Sequence, residues 1–265
     1  MERKLYKFSG AGNDFVVIDG REGDVSSFRE VARIEALCRE FRTDGLMILG
    51  SGDAEVDFVM EFYNPDGSGG MMCGNGGRCI VAFADYLGIR PSCHPELAEG
   101  SYLFRAPDGL HTGEILARPE DGLWEVRIKM IDVQGITPML GGYFLNTGTR
   151  HFVKFVDDVE QVDIDTEGKA LRWDPAFAPV GTNVNFVHVA PDGLHVRTFE
   201  KGVEGETLAC GTGLPASAIA AFYIGKPDTR LRARQDWLSV NFTPGADEKF
   251  TDVYLTGPAR LVEIR

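Results

Sequence analysis

The chain has 265 residues, room for one large domain or for two of about 130 residues that each bury a core. Its net charge of −13 argues against nucleic-acid binding, which would want a basic face, and no run of about 18 apolar residues is present to cross a membrane. Five cysteines without a CxxC pair argue against a disulfide framework and a zinc site, and the opening stretch lacks a signal core, so free thiols in the cytoplasm are expected.

The first predicted strand is "DFVVID" (14–19), and residues 28–41 predict a helix. Val31, Ile34, Cys38 and Phe41 share one stripe of that helix, with Ser27 and Glu30 as its capping box and Cys38 as a buried core thiol. A strand follows over 55–64, ended by the turn Pro65-Asp66-Gly67. Next comes "MMCGNGGRC" (71–79), three glycines between two cysteines, opening a helix over roughly 76–87 that Gly88 closes. Residues 89–101 read as a surface loop, in which adjacent Cys93 and His94 lack the company a metal site needs. Strands are predicted at 123–130, 151–156, 183–190 and 194–200, the last two separated by Pro191-Asp192-Gly193. In 151–156 one face is expected to be only partly buried. A helix over roughly 213–224, closed by Gly225, and a strand at 252–257 complete the pattern.

Two of these segments repeat one plan. "GGMMCGNGGRCIVAFADYLG" and "GETLACGTGLPASAIAAFYIG" each carry Cys-Gly-x-Gly and then an apolar helix ended by glycine, with the cysteines 137 residues apart. Strands outnumber helices, so the expected fold is α+β, in two similar domains with a cleft between them.

Four explanations compete for Cys73. Cys73 and Cys79 diverge by about 240° around a helix, which disfavours a shared metal. A cysteine-phosphatase loop needs arginine six residues after the nucleophile, and Arg78 is five. A buried structural thiol leaves the glycines unexplained. A reactive thiol at a helix N-terminus explains both, because bare N–H groups and the helix dipole favour a thiolate or a substrate carboxylate. One such loop leaves the alternatives open, and two favour a pair. One thiolate can remove a proton from one face of a carbon while the other thiol donates to the opposite face, inverting a stereocentre without a cofactor. No nucleotide fingerprint is present. Cys79 reads as helix packing.

The motifs "FSGAGNDFVVID" (8–19), "YNPDGSGGMMCGNGGRC" (63–79), "NTGTRH" (146–151), "GTNVNFV" (181–187) and "EKGVEGETLACGTG" (200–213) resemble, in order, the diaminopimelate epimerase family. The resemblance implies conversion of LL-2,6-diaminopimelate to the meso form without pyridoxal phosphate, for lysine and peptidoglycan synthesis. It implies two pseudo-symmetric domains, each a mainly antiparallel sheet wrapped on a central helix, with the active site in the interdomain cleft, and commonly a homodimer. The expected limits are 1–118 plus about 256–265 for the first domain and 119–255 for the second.

By position, the resemblance makes Cys73 and Cys210 the acid/base thiols. Gly74, Asn75, Gly211 and Thr212 match the amides that hold the reacting carboxylate, Asn13, Asn64 and Asn183 match substrate asparagines, and His151 and Glu200 match residues that tune the thiols and the substrate ammonium. Taken singly, Asn13, Asn64 and Asn183 read as turn residues, His151 as a satisfied histidine and Glu200 as a solvated charge. The sequence departs from the family at Thr149, where asparagine is usual, and at Lys201, where arginine would grip a carboxylate bidentately. Ser9 and Gly45 also differ, and Arg150 is a candidate replacement for the missing guanidinium. These departures keep open a two-cysteine racemase or epimerase of another amino acid. A thiol-redox sensor on the same scaffold is the non-enzymatic alternative.

Overall fold

The computed structural model describes residues 3–70, 72–92 and 97–265. Cys93 and His94 lie outside the described residues. Two units divide the chain: Met1–Ile128 with Gly257–Arg265, and Lys129–Thr256.

In chain order the first unit carries β1 (Tyr6–Gly10), β2 (Asn13–Asp19), α1 (Val31–Phe41), β3 (Gly45–Ser51) and β4 (Phe58–Tyr63). It continues with α2 (Gly74–Tyr86), β5 (Ser101–Ala106), β6 (Gly109–Glu120) and β7 (Leu123–Lys129). The second carries β8 (Ile136–Met139), β9 (Gly142–Asn146), β10 (Arg150–Phe155), α3 (Lys169–Arg172), β11 (Asn183–Ala190), β12 (Gly193–Glu200) and β13 (Gly205–Thr207). It ends with α4 (Gly213–Tyr223), β14 (Arg230–Arg232), β15 (Trp237–Pro244) and the start of β16 (Phe250–Ile264), whose last residues belong to the first unit.

Each unit follows one pattern. In the first, the ladder runs β1-β2-β3-β4-β5-β6-β7-β16 and closes where β16 pairs β1. In the second it runs β8-β9-β10-β11-β12-β14-β15-β16, with β13 beside β12. Most pairings are antiparallel. The parallel ones fall at matching places, β2 with β3 and β4 with β5 in one unit, β10 with β11 and β12 with β14 in the other. Parallel neighbours need a crossover, and the second crossover of each unit holds the helix that follows a Cys-Gly-x-Gly loop.

Those two helices are apolar all round because sheet surrounds them. α2 is buried continuously from Gly74 to Ala84 and α4 from Gly213 to Ala221, and Gly88 and Gly225, both at positive φ, follow them. The Ala-rich sequence of α4 suits this setting, since small side chains let strands approach closely.

Two expectations change. The helix predicted from 28 begins at Val31: Ser26–Arg29 forms a 3-10 turn, Glu30 is the N-cap without a side-chain bond, and the Ser27–Glu30 capping box is not made. Val31 is therefore exposed at the first turn, and Ile34, Leu37, Cys38 and Phe41 form the buried stripe. The first unit also runs past 118, because a cut there would split the β6–β7 hairpin, whose ladder pairs Glu114 with Arg127. Among the described residues no helix is long and apolar enough to cross a membrane, and no three His, Cys, Asp or Glu side chains gather as a metal site.

Asp85, near the end of α2, ties that helix to its sheet. Its carboxylate accepts from Arg118 Nε and Trp124 Nε1, both at 2.8 Å, and from the Tyr102 hydroxyl at 3.4 Å. Burial alone would push this carboxyl up, but the Arg118 and Trp124 bonds outweigh it and hold the group below the usual carboxylate range. A depressed folded value means that the ionised form stabilises the fold above the ordinary carboxylate pKa, and that this contribution is lost as pH falls through the folded value. Asp85→Asn is accordingly expected to lower stability by about 1–3 kcal/mol at pH 7. In urea titrations the difference from wild type should shrink as pH falls below about 4.

Candidate active site

Cys73 is the N-cap of α2. Its backbone is extended (φ −111°, ψ 153°), which turns the sulfur back over the helix start, where Gly76 N–H donates to Sγ at 3.2 Å. A Cβ on Gly76 would sit 3.3 Å from that sulfur and 3.5 Å from Met47 Sδ, so glycine lets the amide come this close. The thiol thus holds the place that serine or aspartate usually takes at a helix start, where a negative charge is stabilised. Cys73 is partly exposed, whereas Cys38 and Cys79 are buried. Burial pushes both buried thiols up, Cys79 well above the usual range.

A line of polar groups runs beneath the first turn of α2. Asp44 Oδ2 accepts from Asn13 Nδ2 (3.3 Å) and from Asp14 N (2.9 Å). Asn13 Oδ1 accepts from Asn75 Nδ2 at 2.5 Å, and Asn75 Oδ1 accepts from Arg78 Nη2 at 2.8 Å. Arg78 is wholly buried, and its guanidinium also donates to the Gly74 and Pro258 carbonyls. Gly10 makes room for this turn, since a Cβ there would meet the Asn75 carbonyl at 2.8 Å and Cys79 Sγ at 2.9 Å. The Met72 amide donates to Asp108 Oδ1 (3.0 Å), which steadies the approach to Cys73.

In the second unit Cys210 lies just before α4 and is 5% exposed. Burial pushes its thiol up to about 12 and Glu200 adds to the rise, while the Thr212 hydroxyl and the Gly213 and Thr212 amides act the other way. The assisting amide comes from the third residue after the cysteine in both loops, Gly76 in one and Gly213 in the other. The glycines at 76 and 213 therefore each bring a backbone amide to a cysteine sulfur.

Around Cys210 the side chains form a continuous network. Thr212 Oγ1 lies 3.6 Å from Cys210 Sγ, 2.9 Å from His151 Nε2 and 3.1 Å from Thr149 Oγ1, and Thr149 Oγ1 is itself 2.9 Å from His151 Nε2. Parallel pairing of β10 with β11 sets His151 beside Asn183. Asn183 donates to Thr149 Oγ1 (3.2 Å) and to the Arg150 carbonyl (2.9 Å), and accepts the Lys201 amide (2.8 Å). Asn185, two residues on and on the same face, reaches His151 Nδ1 at 3.0 Å and accepts from its cross-strand partner Thr198 at 2.9 Å. His151 has no exposed surface, and burial pushes its ring down to about 3, so the imidazole is neutral. Thr147 donates to the Thr212 carbonyl (2.8 Å), and Thr207 donates to Glu200 Oε2 (2.7 Å).

The structure thus groups Asn13, Asn75 and Gly74 at the Cys73 helix, and Thr149, His151, Asn183 and Thr212 at Cys210. Lys201 joins the second group through its backbone amide. Asn64 builds its turn, donating through Nδ2 to Ser68 Oγ at 3.0 Å. Arg150 lies over the Phe144 ring and donates to the Phe177 carbonyl, which directs its guanidinium into its own unit. Gly45 has no space for a side chain, because a Cβ would meet the Tyr63 carbonyl at 2.8 Å. Sequence reasoning missed Arg78, Asp44, Asn185 and Thr198. A signal existed for two of them: Arg78 is a charge at the start of a mostly apolar helix, and Asn185 shares the alternation of Asn183.

The family model described as diaminopimelate epimerase matches residues 5–106 and 143–262. Proteins of that name from Chlorobaculum tepidum and Flavobacterium psychrophilum are each 39% identical, covering 96% and 98% of this chain and 97% and 98% of their own. One from Aquifex aeolicus is 37% identical over 96% of this chain and 94% of its own. Among solved structures, a phenazine biosynthesis protein of the PhzF family from Bacillus anthracis superposes with a TM-score of 0.72 at 12% identity, over 100% of this chain and 99% of that one. A probable proline racemase from Agrobacterium radiobacter does so with 0.65 at 15% identity, over 100% of this chain and 92% of its own. These distant structures share the fold of this protein. With the family match over most of its length and both Cys-Gly-x-Gly loops at helix starts, the chain belongs to the diaminopimelate epimerase family.

Proposed function

We propose that this protein epimerises LL-2,6-diaminopimelate to the meso form, with Cys73 and Cys210 as the two acid/base groups. Family membership supports the substrate. The observation that carries the chemistry is the paired construction of the thiols, each before a buried helix and each assisted by the amide three residues on. In this reading one cysteine, as thiolate, takes the α-proton, and the other, as thiol, delivers a proton to the opposite face. The Gly74, Asn75, Gly211 and Thr212 amides hold the carboxylate beside the reacting carbon, where the helix starts stabilise the charge that develops. Asn13, Asn64, Thr149, Asn183, Glu200 and Lys201 bind the rest of the substrate, with His151 acting through the Cys210 network. No cofactor takes part. The protein works in the cytoplasm as a homodimer.

Asn183 and Asn13 already make hydrogen bonds within the protein, so their contact with substrate is an exchange of partners. Thr149 and Lys201 alter the distal shell, which makes substrate identity the point to test. Incubation with LL-diaminopimelate, histidine and proline followed by chiral chromatography is expected to show inversion of diaminopimelate only. Inversion of another amino acid with diaminopimelate untouched would assign a different substrate to the same chemistry.

A further inference from the structure

The hydrogen bonds around His151 run in one consistent direction. Asn185 Nδ2 lies 3.4 Å from the Phe152 carbonyl, which can only accept, and Asn185 Oδ1 takes the Thr198 hydroxyl at 2.9 Å. The amide is thereby oriented, and Nδ2 donates to His151 Nδ1 at 3.0 Å. A ring nitrogen that accepts carries no proton, so the proton of the neutral ring is on Nε2. Asn183 is oriented likewise by the Arg150 carbonyl and the Lys201 amide, and its remaining Nδ2 hydrogen goes to Thr149 Oγ1.

Two groups that can only donate, His151 Nε2–H and Asn183 Nδ2–H, thus enter one pair of hydroxyls. The arrangement that uses every hydrogen has Thr149 donating to Thr212, and Thr212 donating to the one remaining acceptor in the network, Cys210 Sγ at 3.6 Å. We infer that Asn185 is a positioning residue of this site: by holding His151 as the neutral Nε2–H donor, it directs the Thr212 hydroxyl onto the Cys210 sulfur. The inference rests on the reading of Cys210 as one of the two acid/base thiols. It makes the network a source of hydrogen bonding to the thiolate, set against the burial and the Glu200 charge that oppose ionisation. It also means that His151 does not take the thiol proton.

The test combines nitrogen NMR of the histidine-labelled full chain with iodoacetamide alkylation at pH 8.5, followed at each cysteine by mass spectrometry. Wild-type His151 is expected to show a protonated Nε2 and a bare Nδ1, unchanged between pH 6 and 9, although the network includes the Cys210 thiol and Glu200 acts on that thiol. Thr212→Val keeps the shape of threonine without its hydroxyl. It should slow alkylation of Cys210 about tenfold, the equivalent of one unit of thiol pKa, and leave Cys73 unchanged. Thr212→Ser should restore the rate, and Asn185→Leu should populate both His151 tautomers and slow Cys210. A protonated Nδ1 in wild type, or a Thr212→Val rate at Cys210 equal to wild type, overturns the inference. If Asn185→Leu does not fold, the wild-type spectrum and the Thr212 pair decide. None of these readouts uses substrate, so failure to turn over diaminopimelate would remove the functional reading and leave the hydrogen-bond direction separately measured.

Discussion

Replacing either Cys73 or Cys210 by alanine is expected to abolish epimerisation of diaminopimelate. A positioned general acid or base contributes about 10²–10⁴ in rate, and inversion needs one on each face of the carbon, so neither thiol can stand in for the other. The two variants differ in what else they disturb. Cys73 caps α2 through its sulfur, and its alanine variant also loses that bond, at a cost of about 1 kcal/mol or less. Cys73→Ser keeps an acceptor at the N-cap while its hydroxyl is far too weak an acid to act as the thiol does. Loss of turnover in Cys73→Ser with an unchanged urea midpoint would therefore separate chemistry from capping. Cys38→Ala and Cys79→Ala change buried thiols remote in role, and turnover in the folded variants should persist. Full activity in Cys210→Ala would contradict the assignment.

Gly213→Ala is expected to damage both stability and turnover, although it adds a single methyl group in a helix. The new Cβ would lie 2.3 Å from Asn185 Oδ1 and 3.2 Å from Cys210 Cβ. Asn185 cannot yield easily, because it is buried and bonded to Thr198, His151 and Phe152 together. Overpacking of this kind costs about 1–3 kcal/mol, and here the strain falls on the network that reaches the Cys210 sulfur. Gly135→Ala is the control, since a Cβ there meets nothing within 4 Å. The urea midpoint and turnover should both fall for Gly213→Ala and stay near wild type for Gly135→Ala. Equal behaviour of the two would mean that the packing of α4 against Asn185 is not tight in solution.

Alternation of apolar and polar residues made some strands easy to read. The strand expected over 183–190 is Asn183–Ala190, and that over 194–200 begins only one residue earlier. β3 was not seen, because "GLMILGS" has no alternation: Leu46 and Ile48 pack with α1 while Met47 faces the start of α2, so successive residues are all buried. A strand covered on both faces carries no period-two signal. The short polar β14 was missed for the opposite reason, having too few apolar residues to register. The start of α1 moved because Asp24 bonds the Ser26 amide and hydroxyl, a local choice that side-chain periodicity does not encode.

The site was legible to different depths. The repeated Cys-Gly-x-Gly pointed to both thiols without any structure. The set of partners around His151 was not readable, because Thr149, Asn185 and Thr212 come from three segments that only the β10–β11 ladder and the α4 loop assemble. Arg78 was passed over as a failed phosphate-loop arginine, whereas its guanidinium is buried under the first turn of α2, holding Asn75.

Exchange of protons between two cysteines and one α-carbon leaves an isotopic trace in the product. Its most direct test is incubation of the reduced protein with LL-diaminopimelate in deuterium oxide, with the α-hydrogens followed by NMR and the stereoisomers by chiral chromatography. Inverted product is expected to carry solvent deuterium at the epimerised carbon, and alanine at either Cys73 or Cys210 is expected to abolish the inversion. Inverted product that retains its original α-hydrogen, or inversion that survives loss of both thiols, would contradict it.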